Sequence, residues 1–280
     1  LTGVYHGSVA FGDYDNDEDL DILLTGVGQV DGSSSPISKI YRNDNGAFSE
    51  DTIADAGLAD VSYSSVAWGD YDNDGDLDIL LTGKNVNWQS VSKLYHNNGN
   101  GFFTEDTIAD AGLPGVYRSS VAWGDYDNDG DLDILLTGVS FSKIYRNDNG
   151  TFNEDTIADA GLAGVYGSSV AWGDCDNDED LDILLAGSNN NGSILKIYRN
   201  DGGIADTRPS TPLGLSAVVS GNNVTLSWQK ATDAQTPQNG LYYNIYIGTT
   251  PTTVDKSSPM AQLSSGWRKV AAIGPIEGTT

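Results

Sequence analysis

One nine-residue acidic string occurs four times in this sequence. Asp70-Tyr-Asp-Asn-Asp-Gly-Asp-Leu-Asp78 recurs, slightly changed, at Asp13–Asp21, Asp125–Asp133 and Asp174–Asp182. The starts lie 57, 55 and 49 residues apart, so the chain repeats one supersecondary unit. Each unit reads Ser-Val-Ala-Trp-Gly, the acidic string, then Asp-Ile-Leu-Leu-Thr-Gly. An irregular stretch follows, then Lys-Ile-Tyr-Arg-Asn, a turn such as Asn149-Gly150, and Thr-Phe-Asn-Glu-Asp. A linker such as 157–164 leads into the next unit. The apolar pieces are short, rich in Val, Ile, Tyr and Trp, and bounded by Gly, Asn and Asp, which predicts four strands per unit. Ile79–Leu81 does not alternate, so that strand is expected to be buried on both faces. A four-stranded sheet covered on both sides and repeated in this way describes a blade, and predicts an all-β propeller. A helical solenoid is excluded, because no segment sustains an apolar 3.6 period.

Charge bounds the partners. The 280 residues carry 40 Asp and Glu against 14 Lys and Arg, a net −26, which disfavours nucleic acid and anionic lipid. Twenty-two of the 40 acids lie in the four strings, so the acidity is concentrated and not a diffuse solvating shell. The 14 Tyr, 6 Trp and 6 Phe argue against disorder. One Cys excludes a disulfide framework, and no apolar run is long enough to insert in a membrane. The repeat covers 1–205 and ends at a Pro-bearing linker, 206–212. Residues 213–280 contain Leu215–Val219, Val224–Trp228, Tyr242–Ile247 and Trp267–Ile273, whose alternation predicts part of a β-sandwich.

The strings suit a hard cation. With Asp70 as position one, Asp72, Asp74, Asp76 and Asp78 stand at three, five, seven and nine. In a tight loop alternate carboxylates converge, and the backbone carbonyl at seven adds an oxygen. Calcium takes six to eight oxygens, whereas magnesium keeps its waters. Gly75 at position six permits a positive φ. So many carboxylates in nine residues would repel one another without a cation.

The string, the preceding Trp-Gly-Asp (Phe11-Gly12-Asp13 in the first unit) and the following Leu-Asp-Ile-Leu-Leu resemble FG-GAP/VCBS repeats, the calcium-binding blades of integrin-α-like β-propellers. The resemblance implies up to four calcium ions, one per repeat. Side-chain ligands would be Asp70, Asp72, Asp74 and Asp78, with Asp76 giving its carbonyl. The third loop would use Asp125, Asp127, Asp129 and Asp133 with Asp131. The first would use Asp13, Asp15, Asp17 and Asp21 with Asp19, and the fourth Asp174, Asp176, Asp178 and Asp182 with Asp180. Glu18 and Glu179 replace the glycine, at a cost of about 1 kcal/mol, and predict weaker sites. Pro212–Ala217 and Val224–Gln229 resemble the start of a fibronectin type III module, incomplete by Thr280.

No catalytic constellation is legible. Glu50-Asp51, Glu105-Asp106 and Glu154-Asp155 recur once per unit, which suits a structural position better than an acid–base pair. Lys39/Arg42, Lys93/His96, Lys143/Arg146 and Lys196/Arg199 share one register and are expected to partner inter-blade acids. His6 aligns with Tyr63, Arg118 and Gly167, a position with no common chemistry, and Cys175 replaces a tyrosine.

The stretches 27–38, 84–92, 139–142 and 188–195 vary most, and should lie with the linkers opposite the acidic loops, where binding loops are often carried. Trp88 and Phe141, with Tyr5, Tyr117 and Tyr166, are the candidate contacts. The expectation is a secreted or cell-surface, non-catalytic adhesion or recognition protein that binds a protein, a glycan or copies of itself. A filament subunit assembled by strand addition and an accessory domain of a polysaccharide-degrading enzyme are the alternatives. The first and fourth units are cut within the repeat, which suggests a segment of a longer polypeptide.

Overall fold

The repeated strand set folds into successive antiparallel sheets in a computed structural model that describes residues 1–17, 19–30, 32–99, 101–176, 178, 180–201, 210–220, 223–232, 242–243 and 276–277. The first blade consists of β1 (Tyr5–Gly12), β2 (Asp21–Val30), β3 (Ser33–Asp44) and β4 (Ala47–Glu50). The second has β5 (Ser62–Gly69), β6 (Asp78–Lys84), β7 (Ser90–Asn97) and β8 (Phe103–Glu105). The third has β9 (Ser120–Gly124), β10 (Asp133–Gly138), β11 (Phe141–Asn147) and β12 (Phe152–Glu154). The fourth shows β13 (Tyr166–Gly173), β14 (Asp182–Asn189) and β15 (Gly192–Tyr198). Strand order in every sheet is sequential, the meander of a propeller blade.

Two compact units divide the chain. One is Leu1–Tyr126, Asp131–Trp172 and Asp182–Arg199; the other is Asp127–Gly130, Gly173–Leu181 and Asn200–Thr280. In the first, the second strands of the second and third blades lie between two strands of their own sheet and two neighbouring sheets. Ile79, Leu80 and Leu81 are fully buried, as are Ile134, Leu135 and Leu136, as their unbroken apolar run predicts. The pattern lapses at Leu184 in the fourth blade, 46% exposed.

Neighbouring blades meet through one repeated set of contacts. Tyr14 stacks at 6.1 Å on Trp68 of the next blade, and Phe103 closes the cluster at 5.8 Å from each ring. Tyr71, Trp123 and Phe152 repeat it, and Tyr126 stacks on Trp172 at 6.0 Å. The close approach requires glycine opposite each tryptophan. A Cβ on Gly12, Gly69 or Gly124 would come within 2.6–2.7 Å of the facing indole. Deeper in the interface, Thr25, Thr82 and Thr137 share hydroxyl hydrogen bonds with Ser64, Ser119 and Ser168 of the following blade.

Two sequence expectations for the blades need revision. The stretch 27–38 is not irregular: β2 and β3 continue through it as a paired hairpin from Ile22↔Tyr41 to Val30↔Ser33. Its polar and glycine residues hid the strand because both flanks of the tip are solvated. The lysines of the basic register partner an acid of their own sheet first, and Lys93 and Lys143 also reach the linker acids Asp110 and Asp159 as the register predicts. Lys39, Lys93 and Lys143 pair with Glu50, Glu105 and Glu154 on the adjoining stretch of the same sheet, and Lys143 also reaches Asp159 at 3.1 Å. Arg42 and Arg146 pair with Asp44 and Asp148 in the adjacent turn.

In the second unit, β16 (Leu213–Ser220) and β17 (Asn223–Gln229) form a hairpin, and β18 (Tyr242–Tyr243) pairs with β19 (Ile276–Glu277). Leu215, Val218 and Val219 on the hairpin are 63–75% exposed, where alternation had predicted one buried face. The remaining sandwich strands, including Trp267–Ile273, lie outside the described residues.

Replacing Gly69 with alanine should cost about 1–3 kcal/mol through overpacking against Trp123, read as a lowered melting temperature. Gly3→Ala, where a Cβ meets nothing within 4 Å, should leave it unchanged.

Candidate functional site

Each acidic loop is built around the carboxylate at position nine, which opens the second strand. Asp21, Asp78 and Asp133 are 0% exposed. Asp78 accepts the Tyr71 amide on one oxygen at 3.1 Å and the Asn97 amide on the other at 2.8 Å. Asp21 does the same with Tyr14 and Asn43, and Asp133 with Tyr126 and Asn147. One side chain thus ties the loop to the third strand of the blade. The loop turns through Asn73 (φ 58°) and Gly75 (φ 95°); Asn tolerates the left-handed region, and Gly enters it without penalty. Glu18 and Glu179, expected to strain this turn, lie outside the described residues.

This frame brings carboxylates together. Oxygens of Asp13, Asp15 and Asp17 lie within 4.8 Å of one another, as do those of Asp70, Asp72 and Asp78. Asp15 Oδ1 is buried without a hydrogen-bond partner. Asp17 and Asp74 accept the amides of Asp19 and Asp76. His96 replaces the arginine of its register and sets Nδ1 3.1 Å from Asp72 Oδ2. Of the third and fourth loops, Asp125, Asp131, Asp133 and Asp182 belong to the first unit. Asp127, Asp129, Asp174, Asp176, Asp178 and Asp180 belong to the second.

The position-seven side chains do something the sequence did not announce. Asn16 Nδ2, at position four of the first loop, donates to Asp76 Oδ1 of the second at 2.7 Å, and Asn73 donates to Asp131 of the third at 2.9 Å. Within the second unit Asn128 donates likewise to Asp180 at 2.9 Å. The other oxygen of Asp131 accepts the Asn149 amide in the turn after the third strand, and Asp19 accepts the Asn45 amide in the same way. Position seven therefore latches one loop to the next, and its carboxylate is engaged away from the ligand cluster.

Burial makes several of these carboxylates costly to ionise. Burial raises Asp78 to about 8, and Asp21 and Asp70 to about 6. Asp15 and Asp72 are also raised, by burial first and then by Asp17 and Asp74. Asp51 behaves oppositely. Burial pushes it up, but the Ala54 amide and the Tyr14 hydroxyl outweigh that and hold it low. Asp106 and Asp155 repeat this, so the Glu-Asp pairs are occupied by a lysine, a turn and a tyrosine.

The opposite ends of the inner strands form a second site. His6, Tyr63 and Arg118 all have left-handed backbones (φ 51°, 49° and 48°), as does Gly167 at 56°. The register shifts between Tyr5 and Ser8 and between Ser62 and Ser65 mark the bulges that impose this. These positions share no residue type, yet they stack across blades. The His6 and Tyr63 rings are 4.2 Å apart, and the Arg118 guanidinium lies 5.3 Å from the Tyr63 centroid. The Arg118 amide donates to Tyr63 O at 2.8 Å, and the Gly167 amide to Arg118 O at 3.1 Å. They line an open groove of about 450 Å³ with Ser64, Ser119, Tyr166 and Ser168. Trp88, 69% exposed, reaches Tyr63 at 6.4 Å, and Lys84 lies over the Tyr117 ring at 4.3 Å. Phe141 instead packs half-buried against the core of the second and third blades.

Comparison with known families finds FG-GAP-like repeats at residues 13–81 and 85–136. A search of curated proteins gives no match. Among solved structures, the chain is similar to an Agrocybe aegerita lectin, described as recognising non-reducing terminal N-acetylglucosamine. Identity is 19% and the TM-score 0.42, over 71% of this chain and 50% of that one; this chain thus spans half the length of the lectin. Among the described residues no helix is long and apolar enough to cross a membrane.

The unfolded chain titrates these carboxyls near 3.8, and the metal-free fold near 6–8. Between those values the folded state holds more protons, so its stability falls as pH rises. In excess chelator the melting temperature should therefore rise as pH is lowered from 8 to about 5.5. A chelated protein that loses stability over that range would contradict this account of the loops.

Proposed function

We propose that this chain is a non-catalytic recognition module of the cell exterior. Calcium in the acidic loops clips its blades together, and the opposite ends of the inner strands carry the ligand. The observation that carries this reading is the groove that four blades line, into which three of them send side chains, His6, Tyr63 and Arg118, from strained backbone positions. Strain of about 1–3 kcal/mol per residue is retained where surrounding structure or a ligand surface uses it. The FG-GAP-like repeats are consistent with an extracellular setting, where millimolar calcium can fill loops of moderate affinity.

The first and second loops offer the donors calcium needs. Asp13, Asp15, Asp17 and Asp21 would hold one ion, and Asp70, Asp72, Asp74 and Asp78 another. The cation would neutralise carboxylates that burial disfavours, adding its binding energy to folding. A non-catalytic role is supported by the repeated engagement of the acid pairs. Lys39 and Tyr14 take up Glu50 and Asp51 in the first blade, and the same bonds recur in the next two.

Self-association is a second reading, favoured by the exposure of Val9 (60%) and Phe11 (62%) on the first blade and Ile197 (60%) on the fourth. These positions belong to faces that the inner blades cover with neighbours. Concentration-dependent sedimentation would support it, and a monodisperse monomer would remove it.

The recognition reading is tested on glycan and extracellular-protein arrays in millimolar calcium. Binding should weaken about tenfold in Trp88→Ala or Tyr166→Ala, the loss of one stacked aromatic contact, with unchanged melting temperature. Binding that survives both substitutions would place the ligand elsewhere.

A further inference from the structure

We infer that the groove takes a sugar bearing a single carboxylate, with Arg118 as the residue that receives the charge; this rests on the recognition reading above. The argument begins with what the groove lacks. The protein has 40 acidic residues, yet no carboxylate is among the groove's described lining residues. Its cation is equally unusual. The described basic residues Lys39, Arg42, Lys93, Lys143 and Arg146 all pair with acids. Arg118 and Lys84 instead rest on tyrosine rings, as Lys196 does on Tyr198, and among the described residues neither Arg118 nor Lys84 forms an ion pair with an acid. The tyrosine faces are thereby occupied by cations, which disfavours a cationic ligand and leaves a site selective for an anion.

Geometry fixes where that anion would lie. The ladder runs His6, Tyr63, Arg118 through three blades, and its fourth position is Gly167. A Cβ there would meet nothing within 4 Å, so open space continues the ladder beyond Arg118. A guanidinium presents a planar fork that matches one carboxylate. Around it stand groups suited to the rest of a sugar ring. Tyr166, 37% exposed, offers an aromatic face. Ser119 and Ser168 each share one hydrogen bond with a threonine, and a hydroxyl has further donor or acceptor capacity. The net charge of −26 repels a polyanionic chain or a strongly acidic peptide. A neutral ring with one charge meets both demands, as in a terminal uronic acid.

The test is titration calorimetry of the calcium-loaded protein with methyl β-glucuronide and methyl β-glucoside. The glucuronide should bind at least about tenfold more tightly, the loss expected for one charge-assisted contact. Arg118→Ala should bring it to the level of the glucoside. Arg118→Gly should do the same while the melting temperature stays level or rises, because glycine relieves the left-handed backbone. Retained discrimination in Arg118→Gly would overturn the inference, as would equal affinity of the wild type for both sugars. If both sugars bind equally and Tyr166→Ala abolishes binding, recognition at the groove stands and the acidic specificity falls. If neither sugar binds, the inference is overturned, and the array experiment decides the wider reading.

Discussion

A fully buried carboxylate holds each blade's geometry. Asp21, Asp78 and Asp133 sit at 0% exposure with both oxygens bonded to backbone amides. Those bonds fix the start of the loop against the third strand, and so decide where the other carboxylates point. Two amides do not repay the desolvation of a charge, which is why burial still lifts Asp78 to about 8. The metal-free loop is therefore a frustrated arrangement: its hydrogen bonds specify a shape whose charge they do not neutralise. A hard cation, as proposed for these loops, would resolve that conflict.

The same loop also organises the contact between blades. Its second residue, Tyr14, Tyr71 or Tyr126, donates its hydroxyl to Asp51, Asp106 or Asp155 and lays its ring on the next blade's tryptophan. Its fourth residue, Asn16 or Asn73, reaches the next loop. The acidic loop and the interface thus share one backbone segment, so loosening one loosens the other. The end blades show the converse. In the tryptophan register of the first blade stands Phe11, 62% exposed. In the tyrosine register of the fourth loop stands Cys175, also exposed.

Features repeated in both residue type and position were legible in the sequence. The strands followed from Val, Ile and Leu runs, the loop from its acids, and the burial of Ile79–Leu81 from the absence of alternation. The Asn16 and Asn73 latches were equally periodic. They stayed hidden because an asparagine in a turn has a local explanation, and its partner lies about 60 residues away. The lysine register was read only in part: linker acids such as Asp159 do pair with it, but sequence spacing does not reveal that Lys143 also meets Glu154 across a hairpin. The hairpin at 27–38 was missed because its residues are polar on both faces. The fibronectin likeness rested on two strands, and those strands form only an isolated hairpin within the described residues.

The groove was the hardest feature to read, and the reason bears on its use. His6, Tyr63, Arg118 and Gly167 share a backbone conformation but no side-chain chemistry. A position whose only requirement was conformational would favour glycine in every blade, since each other residue costs about 1 kcal/mol or more there. Three of the four retain large side chains. Stacking of His6 on Tyr63 and of Arg118 over the same ring offsets part of that cost. It does not explain why the series carries an exposed guanidinium with open space at the next position, Gly167, and no carboxylate among the groove's described lining residues in a strongly acidic protein. A purely structural ladder would have paired that charge, as the lysine register does in the first three blades. The unpaired cation is the part of the groove that folding alone does not require, and it is the part through which a ligand would be chosen.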